Sequence, residues 1–294
     1  MTPAFRAHDP GPGHPESPQR YDAVAAAVTA SGAEVVEPRP ASPEALERVH
    51  DPRHLELLRR LAETGGGAID PDTVVGPPSF DAARLASGAA VAAVNAVLDG
   101  EIDTAFCAGR PPGHHAEPAR AMGFCLINHV AVAAAHARWR GVEKVAILDW
   151  DAHHGNGTQA AFWRDPSVLY VSLHQFPHYP GTGTPFERGD GAGEGTTVNL
   201  PLVAGTSEQH YLDTFRAMAL PAIREFEPGR LCVSAGFDAH RDDPLCSLGL
   251  SAEAFGVMTE EVAEIGAGPV YVLEGGYNLA ALEQSVAAVL AAAA

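Results

Sequence analysis

Residues 147–157 read Ile-Leu-Asp-Trp-Asp-Ala-His-His-Gly-Asn-Gly: an apolar run stops abruptly at two carboxylates and two imidazoles. Side chains of an extended chain alternate with a period of two, so Asp149, Asp151 and His153 share one side if the strand continues. A carboxylate and an imidazole so spaced can close on one cation at a ligand distance of about 2 Å, as zinc requires. A capping aspartate with solvated histidines in a turn is the simpler alternative. Three other apolar runs, at 104–107, 231–233 and 270–273, also end in reactive groups. They lead into Arg110-Pro-Pro-Gly-His-His115, Ser234-Ala-Gly-Phe-Asp238 and Leu273-Glu-Gly-Gly-Tyr277. Ligands of open parallel sheets bind beyond the carboxyl ends of the strands, so these four ends are expected to converge on one crevice.

The elements that must position them follow from periodicity. Strands are expected at 33–36, 104–107, 144–149, 168–173, 197–200, 231–235 and 270–273, and helices at 18–29, 45–50, 54–63, 79–99, 126–139, 207–226, 252–265 and 278–290. Ser17-Pro18 and Ser42-Pro43 are helix-start signals. Alternating strands and helices predict an α/β fold with a mostly parallel sheet and helices on both faces. Residues 175–194, rich in Gly and Pro, are too long for a plain connection and read as a functional loop.

At 294 residues the chain suits one large catalytic domain spanning residues 1–294. No window reads as a transmembrane span, and the first residues lack a basic region followed by an apolar core, so a cytoplasmic protein without a membrane partner is expected. Cys107, Cys125, Cys232 and Cys246 are widely spaced and expected to be reduced core residues. The net charge of −18 argues against direct nucleic-acid binding and could attract cationic substrates, although plain solubility is the simpler explanation.

Together these motifs resemble the histone deacetylase family of the arginase-deacetylase fold, in its bacterial class II-like and acetoin-utilisation-type branch. The likeness runs through His14-Pro-Glu-Ser-Pro18, His114-His115, Gly123-Phe124, Asp149-x-Asp151-x-His153-His154-Gly155, His174, Pro180-Gly-Thr-Gly183, Gly236-Phe-Asp238 and Glu274-Gly-Gly-Tyr277. The resemblance implies one catalytic Zn²⁺ per chain held by Asp151, His153 and Asp238. It implies His115 as general base and then acid, His114 as the partner that tunes local charge, Asp149 behind His114, and Asn156 behind His115. Tyr277 matches the tyrosine that hydrogen-bonds the oxyanion. Gly123, Phe124 and Tyr179 match the walls of a channel for an acyl-lysine chain, with Leu245 where polyamine-preferring relatives carry an acid. Asp72, or Asp70 in its place, matches a rim residue that holds substrate backbone. The family also binds K⁺ or Na⁺ through backbone oxygens around Asp149, Asp151, His153, Ser172 and Leu173.

The expected activity is therefore hydrolysis of an acyl-lysine protein or peptide, or of a small N-acyl amine. An acetylpolyamine deacetylase is the alternative, and a non-catalytic acyl-lysine reader a more distant one. A dinuclear arginase-type centre needs a further carboxylate where this chain has Gly155.

Overall fold

The computed structural model describes residues 1–294. Its frame is a sheet of six parallel strands: β3 (Ala105–Cys107), β4 (Val145–Asp149), β5 (Val168–Gln175), β6 (Thr197–Leu202), β7 (Arg230–Ala235) and β8 (Val270–Leu273). Their order across the sheet is β3-β8-β7-β4-β5-β6. Every residue of β4, β5 and β8 is buried, as continuous apolar runs covered on both faces require. The chain leaves β4 in one direction towards β5 and β6 and returns on its other side with β7, so the sheet has a switch point between β4 and β7. A crevice opens beyond the strands at such a point.

One face of the sheet is covered by α1 (Pro18–Ser31), α7 (Glu208–Thr214), α8 (Leu220–Phe226), α9 (Ala252–Ala263) and α10 (Leu279–Ala292), which pack on Leu148, Val171, Val233 and Tyr271. The other is covered by α4 (Ser79–Leu98), α5 (His129–Trp139) and α6 (Asn156–Phe162), which pack on Ile147, Tyr170, Cys232 and Val272. A satellite of α2 (Pro43–Leu46), α3 (Pro52–Glu63) and the antiparallel hairpin β1 (Gly67–Asp70) and β2 (Thr73–Val75) has its own apolar cluster around Leu46, Leu58 and Val75. The α/β expectation holds, with the sheet wholly parallel.

Several local expectations do not. Ala33–Val36 is no strand: the segment has no ladder partners, and Val35 and Val36 are 53% and 69% exposed. β-branched residues alone do not make a strand where nothing covers them. The helix expected from Leu126 begins at His129, because Asn128 caps it by accepting the Ala131 N–H (3.0 Å). The stretch 207–226 is interrupted by a π-turn at Phe215–Ala219, just ahead of Pro221. Proline has no N–H for an α-helical ladder, and a wider turn accommodates that loss. The α4 helix is long and apolar enough to cross a membrane by length and composition, contrary to the expectation of no such window. Half of that window is buried, and Ala83, Ala90 and Val94 pack inside the molecule.

Candidate active site

Asp151 and His153 follow β4 directly, Asp238 follows β7, and the three meet at the switch point. Their ligand atoms lie within 4.8 Å of one another and all three residues are buried. Asp238 Oδ1 accepts the Ala152 N–H (2.7 Å) and Asp151 Oδ2 accepts the Gly275 N–H (2.8 Å). Those bonds leave Asp238 Oδ2 and Asp151 Oδ1 beside His153 Nδ1, at 2.8 and 3.3 Å. Burial and the charge of Asp151 push the Asp238 carboxyl up to about 7. Two buried carboxylates and an imidazole turned inward onto one point form a donor set that fits a divalent cation, because a cation offsets the cost of burying like charges. The approach is so close that a Cβ on Gly236 would fall on the Asp151 carboxylate, and one on Gly275 would fall on that of Asp238.

His114 and His115 stand beside this triad, their ring centroids 4.1 Å apart, and their environments are opposite. Burial acts to lower both. Against it, the charges of Asp151 and Asp149 raise His114 to about 10, and its Nδ1–H donates to Asp149 Oδ2 (3.1 Å). Asp149 Oδ2 also accepts the Tyr170 hydroxyl (3.1 Å). His115 has no such carboxylate: burial, with the charges of His114 and His153, holds it well below the ordinary histidine value. Its Nδ1–H donates to Asn156 Oδ1 (2.8 Å), while Asn156 Nδ2 donates to Glu117 Oε1 (2.9 Å) and so fixes which way the amide points. The Nε2 lone pair of His115 is therefore free, and one imidazole is set up to hold a proton while its neighbour is set up to take one.

Beside them, where the crevice beyond the strands is expected, stand several aromatic rings. Gly123 and Phe124 both have left-handed backbone (φ +56° and +67°), which turns the Phe124 ring edge-on to Tyr277 at 5.7 Å. Tyr179, 37% exposed, stands edge-on to His115 at 5.1 Å. Leu245 is half-buried nearby, its carbonyl accepting from His178 Nε2 (3.1 Å), and the His178 ring stacks on His153. Asp72 touches this wall only indirectly: its Oδ1 accepts the Thr73 hydroxyl (3.0 Å), and Thr73 Oγ1 accepts the Phe124 N–H (3.1 Å). Asp70 Oδ1 accepts the Asp72 N–H (3.1 Å) within the hairpin turn. All the expected residues are thus brought to one region of the fold. Ser172 Oγ bonds His174 Nδ1 (2.8 Å), one strand away from the triad.

Four other residues take part to which the motifs assign no role. Glu274 Oε2 accepts the N–H groups of Gly113 and His114 (2.6 and 3.0 Å), fixing the loop that carries the histidine pair; burial raises its carboxyl to about 8. Arg20 donates to the carbonyls of Gly276 and Glu274 (2.7 and 2.5 Å), and its guanidinium lies 5.0 Å from the Tyr277 ring centroid. Cys246, expected only as a core thiol, has its Sγ 3.5 Å from His153 Nε2, and with His153 and His178 it forms a second group able to hold a metal ion. Asp243 accepts three backbone N–H groups. Apart from the short Asp243–Leu245 contact, these links join residues 34 to 256 positions apart, for which local patterns carry no signal.

Comparison with known proteins decides the family. A model described as the histone deacetylase domain matches residues 14–293. The chain belongs to the histone deacetylase family. It is 43% identical over 279 residues to the histone deacetylase-like amidohydrolase of Pseudomonas aeruginosa, spanning 90% of this chain and 73% of that one. Its fold is similar to the crystal structure of the HDA15 HD domain (TM-score 0.97, 36% identity, 100% of this chain and 89% of that one). It also resembles the acetylpolyamine aminohydrolase of Burkholderia pseudomallei (TM-score 0.91, 33% identity, 99% and 97%). As a histone deacetylase family member the chain is a deacetylase-type hydrolase of amide bonds.

Proposed function

We propose that this deacetylase uses one zinc ion, held by Asp151, His153 and Asp238, to remove acetyl or similar acyl groups from a lysine side chain or a lysine-like amine. The observation that carries the reading is the unlike hydrogen bonding of the two buried histidines beside that donor set, His114 to the Asp149 carboxylate and His115 to the Asn156 amide. Zinc bound there would polarise the acyl carbonyl and lower the pKa of water towards ~7.

The chain's own residues supply the rest. The acylated amine lies between Phe124 and Tyr179, whose flat faces bury a methylene stem without competing polar contacts. His115 Nε2 takes a proton as water oxygen bonds to the carbonyl carbon. As the C–N bond breaks, the same nitrogen returns that proton to the departing amine. Protonated His114, held by Asp149, stabilises the negative charge that develops, and the Tyr277 hydroxyl donates to the oxyanion. Positioned proton transfer is worth about 10² to 10⁴ in rate, and one oxyanion donor about 3 kcal/mol. A K⁺ or Na⁺ ion near the backbone oxygens of Asp149, Asp151, His153, Ser172 and Leu173 belongs to the same reading.

Acetylpolyamine hydrolysis is the second reading. Burial, and after it the charges of Asp72 and Asp70, raise the Tyr179 phenol, and those carboxylates would attract a cationic tail. Leu245 speaks against it, because it offers that tail no acid. The test is zinc-loaded protein assayed on acetyl-lysine peptides, longer acyl-lysines and acetylpolyamines, alongside Tyr277→Phe. Turnover of acyl-lysine that falls by about 10² to 10³ in the variant, at unchanged zinc content, supports the reading. A variant as fast as the parent removes Tyr277 from it, and a parent inert towards every substrate overturns catalysis.

A further inference from the structure

Asp243 lies in the turn before the channel-wall residue Leu245. It is 7% exposed and makes no ion pair. Its Oδ1 accepts the Leu245 N–H (3.0 Å), and its Oδ2 accepts the N–H of Tyr277 (2.7 Å) and of Asn278 (3.3 Å). Asn278 is the N-cap of α10, its Oδ1 accepting the Ala281 N–H (3.1 Å) and its Nδ2 donating to the Asp242 carbonyl (3.0 Å). Tyr277 thus sits just ahead of a helix, where backbone N–H groups lack helical acceptors and a carboxylate is favoured. The Leu245 carbonyl in turn accepts from His178, next to Tyr179. A single carboxylate therefore spans two loops 32 residues apart that reach the cleft from β7 and β8.

We propose that Asp243 is a positioning residue that sets the Leu245 wall and the Tyr277 phenol in one geometry, so that the shape of the channel and the placement of the oxyanion donor are fixed together. This rests on the role proposed for Tyr277. The phenol has no side-chain hydrogen bond of its own. Its position comes from its backbone, from Arg20 beneath the ring, and from the edge of Phe124. Backbone placement is what Asp243 controls. An Asn at 243 keeps the size but has one acceptor oxygen, so it can hold Leu245 or Tyr277 but not both, and it turns an N–H₂ towards the abandoned amide.

The experiment combines a double-mutant cycle with amide hydrogen exchange on the zinc-loaded protein. Asp243→Asn is expected to lose on the order of 10- to 100-fold in kcat, the effect of removing charge-assisted hydrogen bonds, at parental zinc content. Added to Tyr277→Phe it is expected to cost little further, because it acts through the same phenol. Peptides covering 243–247 and 276–279 are expected to exchange faster together in the variant. Losses that multiply, or an Asp243→Asn enzyme at the parent rate, overturn the proposal. Should that variant not fold, the parent still decides it: the Leu245 and Tyr277 amides must be protected to the same degree, and a freely exchanging Leu245 amide beside a protected Tyr277 sinks the clamp. Unchanged turnover in Tyr277→Phe would instead remove the tyrosine's role while leaving this amide protection intact, so the two failures are distinguishable.

Discussion

His115 donates its Nδ1 proton to Asn156 Oδ1 at 2.8 Å, whereas His114 donates its own to the Asp149 carboxylate at 3.1 Å. A neutral amide orients an imidazole without stabilising its cation, and a carboxylate does both. Asn156→Asp should therefore raise the His115 pKa by about 1 to 3 units, the effect of a nearby opposite charge. A base must be unprotonated to act, so the acid limb of the kcat/KM profile should move to higher pH. A pH–rate series on parent and variant measures it, and coincident limbs would remove His115 as the base.

Gly123 carries the second prediction. Its φ is +56°, and a Cβ there would stand 2.5 Å from His115 Cδ2 and 3.0 Å from the Tyr179 hydroxyl. Gly123→Ala must either displace the imidazole or narrow the channel. A misplacement near 1 Å costs roughly 10²-fold in rate, while left-handed backbone costs a residue with a Cβ about 1–2 kcal/mol. The expected outcome is a turnover loss of that order with a modest fall in melting temperature, read by steady-state kinetics and thermal unfolding.

What could be read from the sequence divides along physical lines. The strands β4, β5, β7 and β8 were legible because residues covered on both faces must be apolar throughout, and the reactive groups at their ends because parallel strands all point them the same way. Hairpin β1–β2 escaped because strands of four and three residues carry too little alternation. Helix α6 escaped because Gly155-Asn-Gly157 has the composition of a turn, although Gly157 is needed there for contact: a Cβ would strike the Ala116 carbonyl. Thr73, Asp243 and Glu274 act on backbone amides far along the chain, so no spacing of their own discloses them.

The donor triad leads to a prediction in stability. Zinc that binds the folded chain alone stabilises it by RT ln(1 + [Zn]/Kd), about 2.7 kcal/mol at a hundred times Kd. For a chain of this size each kcal/mol moves the melting temperature by about 1.5–2 °C. Zinc added to chelator-stripped parent should raise the transition by roughly 4–5 °C. In Asp238→Ala the same addition should move it little, and metal analysis should find the variant depleted. A full zinc response without Asp238 would dismiss it as a ligand.

Buried neutral histidines outside the cleft set the response to acid. Burial holds His50 near 3 and His129 near 4. Each ring nitrogen that could take up a proton is already an acceptor: His50 Nε2 for the Asn128 N–H (2.9 Å), and His129 Nδ1 for the Ser87 hydroxyl (2.8 Å), while its Nε2–H donates to the Pro111 carbonyl (3.0 Å). Above the ordinary histidine value of about 6.5 neither state binds these protons and stability is independent of them. Below it the unfolded chain takes them up and the folded chain does not. Stability therefore falls as pH drops from about 6.5 towards 4, by up to about 1.4 kcal/mol per pH unit for each histidine. His50→Gln retains an acceptor for the Asn128 N–H but removes the titration, so its dependence of unfolding free energy on pH between 6 and 4.5 should be shallower than the parent's by close to one proton. Denaturant titrations across that interval measure the slope, and equal slopes would mean that His50 is already protonated in the folded protein or equally shielded in the unfolded one.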